Sequence, residues 1–407
     1  MRIRYGAEQD GKPVKKAIVY TQNEHGINFS DVDSDAVNIT SRLRANGFET
    51  YIVGGAVRDL MLGKKPKDFD IVSDATPSRI KKIFRNARVI GRRFRLVHVY
   101  FGPKIFEVCT FRSLKDGPTS NTYGTIEEDV LRRDFSLNAL FYDPGKQVVV
   151  DYVGGMKDIR EKRIRPIIPL SFIFKDDPVR MIRAVKYAAT TGFKLPLTLR
   201  WTIKKQAHLL APISPSRLTE EIFKILHSPS AAVITESLES FGLYEYLQPN
   251  LSRLMKENEL FRSRYLKGLS DLNQDGEAKP GEAMAALIRD YLTDFVDWDA
   301  GLTENYKIAF LAARQFVLPM NPPRIELDQA VRLIFNEHGQ TIKKKRLFER
   351  GKPRMAEREA VVEADFPGPL VPAAALSPSA EPMRKRRRRH RSRSNTAPKP
   401  DSGNSGE

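Results

Sequence analysis

The chain has one cysteine, Cys109, in 407 residues, and only two tryptophans and six histidines. A single thiol excludes an intramolecular disulfide and fits a reducing cytosol. It lies in the apolar run 105–111, where a packed thiol is expected rather than a reactive one. No uninterrupted apolar stretch approaches the roughly 18 residues needed to span a bilayer. No apolar segment follows Arg2 and Arg4, which argues against a secretory leader, so the expected location is the cytoplasm. The histidines show no metal-ligand spacing and are read as structural, and no internal repeats are visible. Acid is in deficit too, with 50 Asp and Glu against 68 Lys and Arg, a net charge of +18. Eight of those charges sit in one run, Arg384, Lys385, Arg386, Arg387, Arg388, Arg389, Arg391 and Arg393; the remainder still carries +10. Nucleic acid is the default partner for such a field, with an anionic membrane surface second.

An apolar fraction of 41% is ordinary for a globular protein, and the length suits two or three compact units. Residues 1–30 read as a polar, irregular extension, because Gly6, Gly11, Pro13 and Gly26 interrupt any periodicity. Residues 31–165 read as a small α+β head with a mixed sheet. Ser34 opens a helix carrying Ala36, Val37, Ile39 and Leu43, and a strand over 50–53 runs straight into Gly54-Gly55. Further strands are expected over 69–72, 95–101, 105–111 and 148–152, with helices over 56–62 and 78–84. Beyond Asp176 helical periodicity dominates. It gives an all-α neck over 166–230 and a helical body over 231–350, with a polar loop at 270–282. Residues 351–407, rich in Pro, Ala, Ser and then Arg, are expected to be a disordered basic tail.

Three clusters carry chemistry. Gly54-Gly55-Ala56-Val57-Arg58-Asp59 precedes Asp68-Phe69-Asp70. Two glycines between a strand and a helix allow a tight turn whose amides can approach phosphate closely. Asp68 and Asp70, two apart on a strand, project from one face, while Phe69 and Ile71 point to the core. Paired hard oxygen ligands suit Mg²⁺ or Mn²⁺ bridging nucleotide phosphates. Asp-x-Asp alone is ordinarily a solvated turn; the Gly-Gly turn upstream changes that balance. In the second cluster, Arg132-Arg133-Asp134-Phe135-Ser136-Leu137-Asn138-Ala139, arginine suits triphosphate oxygens and Asn138 suits a ribose hydroxyl or nearby backbone. The bland alternative is a surface ion pair with a helix cap. The third cluster, Asp176-Asp177-Pro178-Val179-Arg180-Met181-Ile182-Arg183, could be simply an N-cap with Pro in the first turn. Yet Asp177 and Arg180 lie three apart on one helical face, with Arg183 continuing the row. A carboxylate beside a guanidinium matches the donor-acceptor edge shared by adenine and cytosine, and not that of guanine or uracil.

Together with Asp151-x-x-Gly154-Gly155 and Arg217-x-x-x-Glu221-x-x-Lys224, these motifs fall in the order found in class II nucleotidyltransferases, which the chain resembles over roughly 25–235. That family contains tRNA CCA-adding enzymes and bacterial poly(A) polymerases. The stretch 89–99, with Arg92-Arg93-Phe94 at its centre, and the Arg-rich tail are similar to the poly(A) polymerase branch. The resemblance implies a DNA polymerase β-like head and addition of AMP from ATP to RNA 3′ ends. It implies that Asp68 and Asp70 hold catalytic metals and that Gly54, Gly55, Arg58 and Arg133 meet the triphosphate and ribose. It also implies that Asp177 and Arg180 read the base, helped by Arg183. Asp134 is the favoured third carboxylate near the 3′-hydroxyl, with Glu107 the runner-up. The chain departs from the family at Asp176, where Glu is usual, and the segment 113–125 looks short. CCA addition to tRNA and a catalytically silent RNA-binding protein are the rivals. The basic tail either captures RNA or merely solubilises, and oligomeric state is not legible.

Overall fold

The computed structural model describes residues 2–7, 13–91, 95–113, 122–274, 276–299 and 301–342. The Arg92-Arg93-Phe94 signature, most of the short segment after Ser113 and the basic tail lie outside these residues. Among them, nine strands form one sheet: β1 (Arg2–Ala7), β2 (Pro13–Tyr20), β3 (Thr50–Val53), β4 (Asp70–Ser73), β5 (Ala87–Ile90), β6 (Leu96–Phe101), β7 (Lys104–Thr110), β8 (Leu140–Asp143) and β9 (Val148–Asp151). Their order is β1-β2-β9-β8-β3-β4-β7-β6-β5. β4 and β7 run parallel, and the other neighbours are antiparallel. The sheet is mixed, as the sequence pattern predicts.

Period-two alternation sorts the side chains between the two faces. Ile52, Ile71, Tyr142 and Val149 enter the main core with Ile39 and Leu43 of the helix Ser34–Ala45, Val57 and Leu60 of the helix Gly55–Met61, and Ile80 of the helix Pro77–Ile83. Tyr51, Val53, Val72, Phe141 and Val150 face the other way, into a smaller cluster closed by Ile126 and Val130 of the helix Ile126–Leu131. The main core continues into the helical part through Met181, Ile182 and Val185 of the helix Val179–Thr191.

The first 30 residues correct the sequence expectation. They are not irregular: β1 and β2 extend the sheet, with Ile18, Val19 and Tyr20 paired to Asp151, Val150 and Val149. Ala17 and Tyr20 are buried. Arg4 Nη1 donates to Glu49 Oε1 at 3.1 Å and to Tyr152 Oη at 3.0 Å, fastening the outer strand to the head. β1 is the edge strand, which tolerates charge on its open side, and the lysines and arginines of β1 and β2 hide the alternation that marks a strand.

Asp151-x-x-Gly154-Gly155 is a structural device. The buried Asp151 carboxylate accepts from the amides of Val153, Gly154, Gly155 and Met156 at 3.1, 2.8, 3.0 and 3.0 Å. It thereby satisfies the start of the helix Gly155–Arg160. A Cβ on Gly155 would stand 2.4 Å from the Ser136 carbonyl oxygen, so only glycine lets this helix close on the second cluster. Asp151→Ala strips four amides, two of them buried, of their acceptor, at a cost of about 3 kcal/mol. The expected outcome is a fall in Tm on the order of 5–10 °C in a thermal melt, with Asp151→Asn intermediate.

Candidate active site

β3 ends at Val53, and Gly54 follows with φ +73° and ψ −136°, a backbone state that disfavours any side chain. Val53 is the register partner of Asp70, so this turn faces the first residue of β4. A Cβ on Gly54 would meet Asp70 Oδ2 at 3.5 Å. The sequence places both aspartates on a strand; in the structure β4 begins at Asp70, and Asp68 sits in the segment leading into it. The alternation nonetheless holds. Phe69 and Ile71 are buried in the main core, and Asp68 and Asp70 lie on the other side.

Strand pairing adds a third carboxylate. Ile71 pairs with Val108 across the parallel β4–β7 ladder, which sets Asp70 beside Glu107. Phe106 and Val108 fill the core, so Glu107 takes the cleft face. The Asp70 carboxyl is pushed up to about 6, first by burial and then by the Glu107 charge; Arg133 opposes the shift and Asp68 adds to it. Its oxygens meet solvent in the open cleft, but the surrounding walls strip much of their hydration. An acid whose folded pKa is raised stabilises the fold most below its ordinary pKa near 4, and that stability is lost as pH rises through about 6. In EDTA, wild type should therefore lose stability relative to Asp70→Asn between these pH values. Discounted for solvent access the difference is about 1 kcal/mol, or about 2–4 °C in a pH series of thermal melts. An unchanged difference between the two proteins across that window would remove the electrostatic account.

Asp134, favoured on the sequence as the third carboxylate, sits in a buried ion pair: Oδ1 accepts from the Phe135 amide at 2.7 Å and Oδ2 pairs with Arg183 Nη2 at 2.9 Å. The runner-up, Glu107, stands beside Asp70.

The arginines are held in a chain of contacts. Asp129 Oδ2 accepts from Arg133 Nε and Nη2 at 3.2 and 2.9 Å, and Arg133 Nη1 donates to the Asn138 carbonyl at 3.2 Å. The Asn138 side-chain oxygen accepts from Arg58 Nη1 at 3.0 Å. Asn138 Nδ2 is buried with no protein partner, a donor left facing the cleft. The Arg58 guanidinium also lies 5.2 Å from the centre of the Tyr187 ring, whose hydroxyl accepts from Arg183. Sequence reasoning missed Asp129 and Tyr187. Asp129 lies four residues before Arg133 and Tyr187 four after Arg183, the helical spacing that could have found them.

Asp177 and Arg180 also correct the expectation. Asp177 is not on the helix but in an extended link between the short helix Ile173–Asp176 and the helix Val179–Thr191. Its two oxygens each accept from Arg217 Nη2 at 2.9 Å, and Oδ1 accepts from the Val179 amide at 3.2 Å. Arg180 is tied instead to Asp176. Each member of the expected pair is therefore engaged by a third residue. Arg217, Glu221 and Lys224 share one face of the helix Pro215–Leu226, with Glu221 also pairing Lys186 at 3.4 Å. Gly54, Gly55, Arg58, Asp68, Asp70, Arg133, Asp134, Asn138, Asp177, Arg180 and Arg183 all line one cleft of about 1120 Å³, with Lys64, Lys65 and Lys67 along its wall. A second hollow of about 740 Å³, holding Glu107, Arg112 and Phe172, meets it at Asp70.

A mixed-sheet head with carboxylates opposite a Gly-Gly turn, joined to arginine-bearing helices, defines a nucleotidyltransferase head and neck. Residues 50–165 match the family model of the poly A polymerase head domain, and residues 192–255 match that of the probable RNA and SrmB-binding site of polymerase A. The chain belongs to the class II nucleotidyltransferase family of poly(A) polymerases and CCA-adding enzymes. It is 38% identical to poly(A) polymerase I of Escherichia coli over 74% of this chain and 70% of that protein. It is 41% identical to poly(A) polymerase I of Salmonella typhi over 59% of this chain, spanning 55% of that relative's length. Among solved structures, the CCA-adding enzyme of Bacillus stearothermophilus in complex with CTP matches with a TM-score of 0.52 and 26% identity, over 74% of this chain and 82% of that one.

Proposed function

We propose that this chain is a template-independent polynucleotide adenylyltransferase, adding AMP from ATP to RNA 3′ ends in the cytoplasm, as in RNA polyadenylation during mRNA processing and decay. The observation that carries this reading is the single cleft in which carboxylates, arginines and a donor-acceptor pair for a base converge.

The residues present fit a divalent cation. Asp68 and Asp70 offer hard oxygen donors and Glu107 adjoins Asp70, whose carboxyl is raised by burial and by the Glu107 charge. Among the described residues no His, Cys, Asp or Glu cluster of three or more encloses a metal by itself. An Mg²⁺ site that uses few carboxylates and completes its shell with substrate phosphates and water has that form. Mg²⁺ or Mn²⁺ held there supplies Lewis-acid charge for phosphoryl transfer. The protein does the rest. Gly54 and Gly55 let backbone approach the triphosphate, while Arg58 and Arg133, fixed by Asn138 and Asp129, hold its oxygens in line. Asp177 accepts from the adenine amino group and Arg180 donates to the ring nitrogen, with Arg183 and Asp134 bracing the wall beside them. The RNA 3′-hydroxyl gives its proton to solvent water and its oxygen forms the new bond to the α-phosphorus, as the bond from that phosphorus to the bridging oxygen breaks and pyrophosphate leaves with the electron pair.

The second reading, CCA addition to tRNA, is favoured by the likeness to the CTP-bound structure and by the edge that adenine and cytosine share. Identity to the poly(A) polymerases supports the first. Purified protein given ATP or CTP, on an oligo(A) primer and on tRNA lacking its end, decides between them. Long A tails on generic RNA are the expected result; addition that stops after C, C and A overturns it. A catalytically silent RNA-binding protein would add nothing to either primer, and the intact Asp68 and Asp70 speak against it. Among the described residues no helix is long and apolar enough to cross a membrane.

A further inference from the structure

From residue 178 to residue 219 the chain contains no aspartate or glutamate but eight lysines and arginines. The helix Leu197–Gln206 turns one face of this acid-free stretch outward. Its Leu199 and Ile203 are buried, whereas Leu197 is 79% and Trp201 63% exposed. Leu197, Trp201 and Lys205 are spaced four apart and form one stripe. Lys205 Nζ lies 4.7 Å from the centre of the Trp201 ring. Arg200 and Lys204 sit 5.9 and 5.7 Å from the centre of the Phe241 ring, at the end of the helix Ala231–Ser240. Among the described residues, Lys194, Arg200, Lys204 and Lys205 have no carboxylate within ion-pair distance. Their charge is uncompensated, and an exposed tryptophan stands among them.

An apolar patch alone would suit a protein, and charge alone would suit any polyanion. An open aromatic face within a cationic patch suits unpaired bases, which stack on the ring while the cations meet the phosphates. Stacking of this kind tolerates any base, as an enzyme acting on generic RNA requires. Neither Trp201 nor its cations line the cleft, so the platform engages nucleotides upstream of the reacting end. Within the stretch 192–255 that matches the RNA-binding-site family model, we propose that the helix Leu197–Gln206 supplies a stacking platform for single-stranded RNA, with a base stacked on Trp201 and phosphates held by Arg200, Lys204 and Lys205. This rests on RNA being the substrate, as proposed above.

The test uses the full chain and oligo(A). Trp201 and Trp298 are the two tryptophans, so oligo(A) should quench a fraction of the fluorescence that disappears in Trp201→Phe. Trp201→Ala should weaken oligo(A) binding about tenfold, and Trp201→Phe should restore it to within about threefold, because a phenyl ring still stacks. Both variants should melt with wild type, since the side chain is exposed. A primer of a few nucleotides, too short to reach past the cleft, should not discriminate between wild type and Trp201→Ala. Unchanged affinity in Trp201→Ala overturns the proposal. So does a Trp201 signal that answers to anionic vesicles and not to oligo(A), which would assign the face to a membrane surface. The outcomes stay separable from those of the activity assay. Wild type that binds oligo(A) through Trp201 but adds no AMP keeps the platform and loses the activity. An active enzyme with a silent Trp201 does the reverse.

Discussion

Asp70→Ala is expected to lower AMP incorporation on the order of 10⁴-fold, with affinity for oligo(A) staying within about twofold of wild type. That loss corresponds to about 5 kcal/mol of transition-state stabilisation, more than a lone hydrogen bond supplies. The size follows from position. Asp70 faces the Gly54 turn, adjoins Glu107 through the β4–β7 register, and carries a proton affinity raised by burial and by its acidic neighbours. Removing it takes away a carboxylate that would hold the divalent cation on which a bound triphosphate depends. RNA is held elsewhere by cations, so binding survives. Filter binding and a radiolabelled ATP extension assay on the same preparation separate the two. If the variant extends primers at the wild-type rate, the metal assignment is lost. If it loses RNA affinity in parallel, Asp70 supports the fold rather than the chemistry.

Asp177→Ala is expected to lower kcat/KM for ATP on the order of 10²-fold and to narrow the preference for ATP over GTP. A site built to hydrogen-bond a polar edge discriminates strongly, because the wrong base leaves buried groups unpaired. In the proposed reading Asp177 is the acceptor half of that site and Arg180 the donor half. In the structure the acceptor is held by Arg217 and the donor by Asp176, so both are aimed before a base arrives. Arg217→Ala should therefore raise the KM for ATP with a smaller change in kcat, since it loosens the acceptor without removing it. Competition between ATP and GTP in single-turnover extension measures both effects. Selection undiminished in Asp177→Ala would move base recognition to other residues.

The motif residues were legible because each carries a local rule. Gly54 before a helix, the alternation of Phe69 and Ile71 against Asp68 and Asp70, and the helical spacing of Arg217, Glu221 and Lys224 can be read within a few residues. What failed was non-local. Glu107 joins Asp70 only through a parallel ladder whose paired residues lie 37 apart in sequence, and sequence spacing gives no hint of register. Asp134 sits in a motif beside Arg133, yet its burial against Arg183 is set by how the neck helix docks. Asp177 and Arg180 are neighbours in sequence that the fold assigns to different partners. The N-terminal strands were missed for another reason: an edge strand needs only one apolar face, and charge on the open side conceals it.

That hairpin has a practical bearing. β2 covers the backbone of β9 along Val149, Val150 and Asp151, and Asp151 is the residue that collects four amides at the next turn. A chain begun at residue 31 would expose this row of donors and acceptors as an open template for strand addition. The truncated head would then stick to its own copies in solution, and shortening the protein at the apparent start of its core would reduce solubility.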